Sequence, residues 1–315
     1  MRSEKEKIVA LHQGAIGDLI LSVPALLTIK KAYPGRGLEL LGFPAILALI
    51  ENMADRIVSI DSVRLSALYG ECEDIPPGLR SFLEGFERIF LFSARDTGRF
   101  IENMQRCNPA TLPVRTFPEG PQHVTDFQLA QLEAAGYMPA DPVPRVTVLP
   151  ENYTRAEKYL RNRTSGGRLI AVHPGSGGKK KNWPVALLAS LLHQVHAETG
   201  AGLLLIQGPA DQDQVNDLVS EISELPYKKV DNADLPLVAT LISRCALFIG
   251  NDSGMSHVAA ALGVSTIVVF GPTDPAVWGP RGESVSILRD IDSNGQWRWP
   301  GPDVVLSAAL GLLRP

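Results

Sequence analysis

Residues 246–275 have the sequence ALFIGNDSGMSHVAAALGVSTIVVFGPTDP. The apolar runs 246–249 and 266–270 have the length and composition of buried strands. Segment 255–262 between them has the pattern of a helix that ends at Gly263. Strand, helix and strand in this order predict a βαβ unit, in which a helix connects two parallel strands. The stretch therefore predicts an α/β fold with a parallel sheet.

The turn between the first of these strands and the helix is made of small and polar residues. Asn251, Asp252 and Ser253 are residue types that leave a strand and cap a helix. Gly254 has no Cβ, so a ligand can approach its backbone closely. The first turn of the helix offers N–H groups to an anion such as a diphosphate, and His257 can donate to the same oxygens. An ordinary capped helix explains these residues as well, so the turn alone leaves both interpretations open.

A second glycine-rich turn follows the predicted strand 168–172. Residues 173–184, HPGSGGKKKNWP, combine a turn free of bulky side chains with Lys179, Lys180 and Lys181. Exposed N–H groups and lysine charges both attract phosphate, which makes this loop a candidate phosphate site. The alternative is a solvated loop whose lysines only keep it soluble.

A third glycine-rich turn, at residues 13–17, lies between a predicted buried strand at 7–12 and a predicted amphipathic helix at 18–31. Such a turn lies at the carboxyl edge of a parallel sheet, where α/β proteins bind ligands. The turn has only the GxxG half of the GxGxxG fingerprint, which argues against a nicotinamide-dependent dehydrogenase. Asp18 opens the helix, where a carboxylate can act as a cap or can take a proton from a bound hydroxyl.

These segments resemble, in chain order, three sequence blocks of one glycosyltransferase family. GAIGDLILSVPAL at 14–26, HPGSGGKKKNWP at 173–184 and DSGMSHVAAALGVSTIVVFGPTDP at 252–275 are similar to signatures of glycosyltransferase family 9, which includes the ADP-heptose:lipopolysaccharide heptosyltransferases. The resemblance implies a GT-B type fold, in which two Rossmann-like domains face a cleft. It also implies transfer of a sugar, in the parent case a heptose from ADP-heptose, to a hydroxyl of a lipopolysaccharide core or another cell-envelope glycan. No metal ion or cofactor is implied.

The resemblance also implies roles for individual residues. Asp18 corresponds to the general base that takes the proton of the acceptor hydroxyl. Lys181, two residues before Trp183, corresponds to a diphosphate-binding lysine, and an acidic residue near Asp211 contacts the donor ribose. The implied donor-binding and diphosphate-binding residues are Ser176, Lys181, Asp211, Asp252, Ser253, Gly254 and His257.

Asp211 and Asp213 form a literal DxD pair, a pattern found in metal-dependent transferases. We do not expect a metal site here, because only two residues match and both positions open a predicted helix. Acidic residues are favoured there as caps and by the helix dipole. Lys179 and Lys180 are expected to be surface charges.

A proline-rich stretch divides the strand and helix patterns into two halves. Residues 137–150, YMPADPVPRVTVLP, cannot continue a helix and suit an extended connection. We therefore expect one Rossmann-like domain at 1–145 and another at 146–315. The resemblance implies that the first binds the acceptor and the second the nucleotide sugar. Segment 64–85 has no clear pattern, and its loops are our first expectation for acceptor recognition. Arg95 lies just after a predicted strand, which makes it a candidate for the cleft, although an exposed surface arginine is the default expectation.

Composition excludes several other classes of protein. The chain has 315 residues, 45% of them hydrophobic, and a formal net charge of -4, so no general nucleic-acid-binding surface is expected. Its 3 cysteines are scattered without CxxC spacing, which is typical of reduced thiols. The N-terminus resembles neither a secretory signal nor a membrane span, so we expect a cytoplasmic protein. Peripheral contact with the cytoplasmic face of the inner membrane is implied only by the resemblance, and the oligomeric state stays open.

Two other activities stay open at this point. A related GT-B enzyme could rearrange or hydrolyse a nucleotide sugar without an acceptor, as an epimerase or a hydrolase does. A catalytically silent protein could keep the nucleotide-sugar site and only bind. The resemblance favours an ADP-linked donor, but recognition of adenine carries no short motif, so the base and the sugar are not fixed by the residues.

Overall fold

The computed structural model describes residues 7–94, 98–161 and 167–314. Its chain divides into two units, Met1–Pro142 and Val143–Pro315. The division lies inside the proline-rich stretch, close to the predicted domain boundary. Each unit is built on its own parallel sheet.

The first unit contains a five-stranded sheet among its described residues. The strands are β1 (Lys7–His12), β2 (Gly37–Gly42), β3 (Arg56–Ser59), β4 (Arg88–Ser93) and β5 (Thr111–Arg115). They are paired in the order β3-β2-β1-β4-β5, and all are parallel. Residues 8–11 of the central strand β1 are at most 1% exposed. Both faces of this strand are covered, which explains its continuous apolar sequence.

Helices and short 3₁₀ turns connect these strands. The helices are α1 (Ile16–Ala32), α2 (Pro44–Leu47), α3 (Pro77–Glu84), α4 (Gly98–Cys107) and α5 (Val124–Ala134). A 3₁₀ turn at Leu65–Tyr69 buries Leu65 and Leu68 in the core of this unit. Helix α1 packs against α5, where the Thr125 hydroxyl donates to the carbonyl oxygen of Leu21 at 2.9 Å.

The second unit contains a six-stranded parallel sheet among its described residues. The strands are β6 (Leu169–His173), β7 (Gly202–Ile206), β8 (Tyr227–Val230), β9 (Leu247–Asn251), β10 (Thr266–Val269) and β11 (Val285–Leu288). Their order is β11-β10-β9-β6-β7-β8. A separate antiparallel pair consists of β12 (Asp290–Ile291) and β13 (Trp297–Arg298).

Helices of the second unit alternate with its strands. They are α6 (Pro150–Leu160), α7 (Val185–Thr199), α8 (Gln212–Glu221), α9 (Leu235–Ser243), α10 (Gly254–Ala261), α11 (Pro275–Trp278) and α12 (Pro302–Leu313). The βαβ unit predicted from residues 246–275 is present as β9, α10 and β10. Helix α7 ends at Thr199, and its C-cap residue Gly200 has a positive φ of 65°.

The sequence located the central strands but missed β5, β8 and β11, which lie at edges of the sheets. Strand β5 contains Pro113, which is tolerated at an edge because no neighbour needs its missing N–H. Strand β8 has the sequence YKKV, whose lysines hide the apolar pattern. Segment 64–85, which has no clear pattern in the sequence, contains α3 and the turn at Leu65–Tyr69.

Both sheets reverse their strand order next to a central strand. The reversal lies between β1 and β4 in the first unit and between β6 and β9 in the second. Helices leave the two strands of such a pair toward opposite faces, which opens a crevice beyond their carboxyl ends. The topology therefore places one ligand edge in each unit, at the loops that follow these strands.

Candidate functional site

In the second unit, the glycine loop after β6 and the turn after β9 lie side by side. His173 at the end of β6 is in register with Gly250 of β9. The Asn251 side chain joins the two segments: its Nδ2 donates to the Pro174 carbonyl at 2.8 Å, and its Oδ1 accepts from the Trp183 N–H at 2.9 Å. Asn251 is 3% exposed, so these hydrogen bonds are shielded from water. The two predicted phosphate segments thus form one edge of the sheet.

Lys181 and Asp252 form an ion pair at this edge. The Nζ atom of Lys181 lies 2.7 Å from Oδ2 of Asp252, and the Thr273 hydroxyl donates to the same oxygen at 2.6 Å. The Asp252 side chain is buried, whereas that of Lys181 is 33% exposed. An ammonium group has three donors, so Lys181 can hold Asp252 and still donate to an anion.

Lys179 and Lys180 are exposed on the same loop, as expected. Ser176 contacts atoms of its own loop. Its hydroxyl lies within hydrogen-bonding distance of the Gly178 carbonyl, at 2.8 Å, and of Asn182 Oδ1, at 2.6 Å. A phosphate contact by Ser176 would therefore replace one of these two bonds.

Helix α10 begins at Gly254, with Ser253 in the N-cap position. Among residues 167–314, the Ser253 side chain makes no capping hydrogen bond, so Ser253 is not the side-chain cap of the alternative interpretation. Its hydroxyl is instead 3.2 Å from Nδ1 of His173. Because the capping side chain is turned toward His173, the first N–H groups of α10 stay suited to an anion. His257 is buried one turn further along the helix.

Asp211 lies in the loop after β7 and is 6% exposed. It was expected to cap the helix that follows, but no capping hydrogen bond from its side chain is found in the described part of the chain. His173 Nε2 donates to Oδ2 of Asp211 at 2.9 Å, and the Gly208 N–H donates to the same atom at 3.1 Å. Burial acts to raise the pKa of Asp211, but the hydrogen bonds from His173 and Gly208 outweigh burial and lower this pKa.

The two acids of the DxD pair have different partners. Asp213 is 80% exposed and lies 3.9 Å from Lys179, whereas Asp211 is buried against His173. Within residues 7–94, 98–161 and 167–314, no group of three or more His, Cys, Asp or Glu side chains is placed to hold a metal ion.

His173 is the residue that the sequence analysis missed. It contacts Asp211 on one side and Ser253 on the other, so it links the ends of β6, β7 and β9. Gly175 packs directly against Asp211, the partner of His173: a Cβ on Gly175 would lie 1.9 Å from Oδ1 of Asp211. The available signal was the position of His173, directly after the predicted strand 168–172 at the ligand edge of the sheet, and this position does not indicate its partners.

In the first unit, Asp18 occupies the third position of α1. Its Oδ2 accepts a hydrogen bond from the Ala15 N–H at 3.0 Å, so the carboxylate does stabilise the start of this helix. A Cβ on Gly14 would lie 2.6 Å from Cβ of Asp18 and 2.7 Å from Cε1 of His12. The turn is therefore packed tightly between the strand and the acid.

His12 makes hydrogen bonds with this turn and with the helix that follows it. The Gly14 N–H donates to its Nδ1 at 3.3 Å, and its Nε2 lies 3.2 Å from the Ser22 hydroxyl, which donates to the Asp18 carbonyl. Burial lowers the pKa of His12 to about 4, so the imidazole is neutral at pH 7. A neutral ring accepts at Nδ1 and donates at Nε2, which matches these contacts.

Asp18 also faces a cavity of about 360 Å³ at the ligand edge of the first unit. The cavity lies between the turn after β1 and the ends of β4 and β5, where Gln13, Ser93 and Thr116 supply polar groups. The carboxylate is thus placed for a ligand as well as for the helix. Arg95, considered for this edge, lies outside the described residues.

The predicted site residues are thus distributed over both ligand edges. Asp18 lies in the first unit, and Ser176, Lys181, Asp211, Asp252, Ser253, Gly254 and His257 lie at the carboxyl edge of the second sheet. Of the helices in the described ranges, none is both long enough and apolar enough to cross a membrane.

Part of the chain matches the profile of a known protein family. Residues 114–297 match the profile of glycosyltransferase family 9 (heptosyltransferase). Lipooligosaccharide heptosyltransferase 2 of Campylobacter jejuni is 30% identical over 277 residues, which are 82% of this chain and 78% of that protein.

Two solved structures show the fold. A family 9 glycosyl transferase from Veillonella parvula superposes with a TM-score of 0.78 at 20% identity, and the match covers 98% of each chain. ADP-heptose lps heptosyltransferase II of E. coli superposes with a TM-score of 0.76 at 18% identity, again over 98% of each chain. The protein therefore has the GT-B fold of these enzymes. With the profile match and the Campylobacter relative, it follows that the chain belongs to glycosyltransferase family 9, the heptosyltransferase family, and is a glycosyltransferase.

Proposed function

We propose that the chain transfers a heptose from ADP-heptose to a hydroxyl of the sugars of lipopolysaccharide or lipooligosaccharide core, without a metal ion. Family membership and the names of the relatives support the sugar and the glycan. The observation that carries the proposal is the edge of the second sheet, where Lys181, the start of α10 and His257 lie together. A lysine charge and a helix N-terminus on neighbouring loops fit a diphosphate.

In this proposal the first unit binds the acceptor and the second unit binds the donor. Asp18 takes the proton of the acceptor hydroxyl while that oxygen bonds to C1 of the heptose. The bond between C1 and the diphosphate oxygen breaks, and its electron pair leaves with ADP. Lys181, the α10 N–H groups at Gly254 and His257 balance the charge that develops on the leaving diphosphate.

The remaining residues of the set have supporting roles. Asp252 orients Lys181 through their 2.7 Å contact. Ser176 donates to a phosphate oxygen once it exchanges one of its loop contacts, and Asp211 contacts the donor ribose. Because the named relatives act on glycans that carry lipid, we also propose a peripheral contact with the cytoplasmic face of the inner membrane.

The reaction is tested by incubating the protein with ADP-heptose, UDP-glucose or ADP-glucose, each with and without a heptose-free core oligosaccharide. Mass spectrometry then identifies the products. We expect a mass increase of one heptose on the oligosaccharide with ADP-heptose alone. Consumption of the donor without the acceptor would instead indicate an epimerase or a hydrolase, and donor binding without any product would indicate a silent binding protein.

The diphosphate site is tested by Lys181→Ala, with Lys180→Ala as the matched control on the same loop. Loss of the Lys181 charge should weaken ADP binding about tenfold or more, which corresponds to at least ~1.4 kcal/mol, as measured by calorimetry. Lys180 is exposed, so its replacement should leave the affinity within about twofold. Equal affinities for the two variants would place the diphosphate elsewhere.

A further inference from the structure

A second cavity lies next to the one that contains Asp18. It has a volume of about 370 Å³ and is lined by Asp61, Arg64 and Ser66, among others. Both cavities are lined by Gln13, Tyr69 and Phe100, so they meet at these three side chains. The two cavities together therefore offer more space than one reacting hydroxyl requires.

Tyr69 is unusual for a large aromatic residue, because it is 57% exposed. One part of its ring packs on Phe100, which is 3% exposed, with the ring centroids 4.8 Å apart and the planes at 43°. The rest of the ring faces the cavities. An apolar ring left open beside polar groups is typical of a ligand surface rather than of a core.

The backbone around Tyr69 is held firmly. The Asn103 side chain, itself 3% exposed, donates to the carbonyl oxygens of Leu68 and Gly70 at 3.0 Å each. Leu68 is fully buried, so the residues on both sides of Tyr69 are fixed. The backbone that carries the exposed ring is thus fixed, so a ligand that stacks on the ring needs to order little more than this one side chain.

The chemistry of this edge fits a chain of sugars. A pyranose ring has an apolar face of C–H groups that packs on an aromatic ring, and hydroxyls at its rim that need donors and acceptors. Gln13 supplies such groups where the cavities meet, and Ser93 and Asp18 supply them on one side. Asp61, Arg64 and Ser66 supply them on the other side.

We propose that Tyr69 is the platform of a two-sugar acceptor site. The sugar that carries the reacting hydroxyl lies in the Asp18 cavity and stacks on Tyr69, and the next sugar of the acceptor lies in the Arg64 cavity. The inference rests on the proposed function, which it deepens: it names the residues that bind the first two sugars of the acceptor, and a single sugar fills only part of the site.

The test measures binding directly, so that it does not depend on turnover. Wild-type protein, Tyr69→Ala, Tyr69→Phe and Arg64→Ala are titrated with a heptose-free core fragment of two sugars and with its terminal monosaccharide. Tyr69→Ala should weaken binding of the two-sugar fragment at least tenfold, and Tyr69→Phe should restore it to within threefold because the ring face is kept. Arg64→Ala should weaken binding of the two-sugar fragment only, and leave that of the monosaccharide unchanged.

The control variant is Tyr153→Ala, which removes a tyrosine that is 39% exposed on the second unit. It should bind both fragments like the wild type, and all variants should bind ADP with unchanged affinity. Equal fragment binding by Tyr69→Ala and wild type would overturn the platform, as would a Tyr69→Phe variant as weak as Tyr69→Ala. Equal effects of Arg64→Ala on both fragments would overturn the second sugar position. If the wild type binds the fragment as expected but transfers no heptose to it, the proposed function fails while this inference stands.

Discussion

His173 connects two loops that carry proposed donor ligands. Its ring donates to the buried carboxylate of Asp211 and contacts the hydroxyl of Ser253. These partners are separated from it by 38 and 80 residues in the chain, so no local pattern could have revealed the contacts. By contrast, Lys181 could be selected from the sequence because its spacing from Trp183 matches a family block.

Replacement of His173 by Ala should therefore affect both stability and donor binding. It leaves the Asp211 carboxylate buried without its strongest partner, which should lower the free energy of unfolding by about 2–3 kcal/mol. ADP affinity should fall as well, because Ser253 and Asp211 lose their common support. Chemical denaturation and calorimetry measure the two effects. His193→Ala, at a position 37% exposed, is the control and should stay within about 0.5 kcal/mol of wild type. If His173→Ala has the stability and the ADP affinity of the wild type, neither property depends on the contacts of His173 with Asp211 and Ser253.

His12 should make the stability of the first unit depend on pH. Burial lowers the pKa of His12 from 6.5 to about 4, so the folded chain binds fewer protons than the unfolded chain between these values. The free energy of unfolding is unaffected above pH 6.5 and should fall as the pH drops from 6.5 to 4, by ~3 kcal/mol for this residue. NMR titration of the imidazole measures the pKa. Denaturation of His12→Asn at several pH values should show that this part of the pH dependence is lost. A His12 pKa near 6.5 would refute it.

At the scale of elements, the loop after β6 is shaped by how closely Gly175 approaches Asp211. The same loop has a natural control, since a Cβ on Gly177 would meet no described atom within 4 Å. The sequence indicated a turn without side chains but not which glycine was essential. Gly175 differs from Gly177 because it lies against the loop after β7, which carries Asp211. The position of that loop is set by the sheet.

Gly175→Ala should force Asp211 away from its position, because the added Cβ would lie 1.9 Å from Oδ1. Overpacking of this kind costs about 1–3 kcal/mol, and the glycine loop should lose ADP affinity as it shifts. Gly177→Ala should change neither quantity by more than about 0.5 kcal/mol. Thermal unfolding and ADP titration of the pair of variants decide the point. Equal behaviour of the two would mean that the loop is not packed on Asp211.

The predictability of the elements follows their burial. Strands β1, β6, β9 and β10 are apolar because helices or neighbouring strands cover them, and the sequence located all four. The edge strands β5, β8 and β11 lack this signal. Residue type also did not reveal the contacts of Ser253 and Asp211, which occupy N-cap positions but contact His173 and make no side-chain cap. Residue type predicts a cap only when no tertiary partner competes for the side chain.

At the scale of the whole molecule, the two units repeat one topology with different chemistry at the ligand edge. In both, a histidine ends the first strand of the central pair. His12 supports the turn that follows its strand, whereas His173 contacts the segments after the two neighbouring strands. The first unit places a carboxylate in a polar cavity, and the second places a lysine and a helix start beside each other. The division into two sheets could be predicted from the alternating patterns and the prolines between them. The assignment of donor and acceptor roles to particular residues could not be made from these patterns. It required the family sequence blocks and the tertiary contacts.

The proposed sugar transfer depends on Asp18 acting as its base. The most direct test compares Asp18→Asn with the wild type, because the amide keeps the shape of the side chain but cannot take the proton. We measure transfer of heptose from ADP-heptose to a heptose-free core oligosaccharide, together with the affinity for ADP. The account predicts a loss of at least about 100-fold in kcat with unchanged ADP affinity. An Asp18→Asn protein that folds, binds ADP and transfers heptose at the wild-type rate would contradict it.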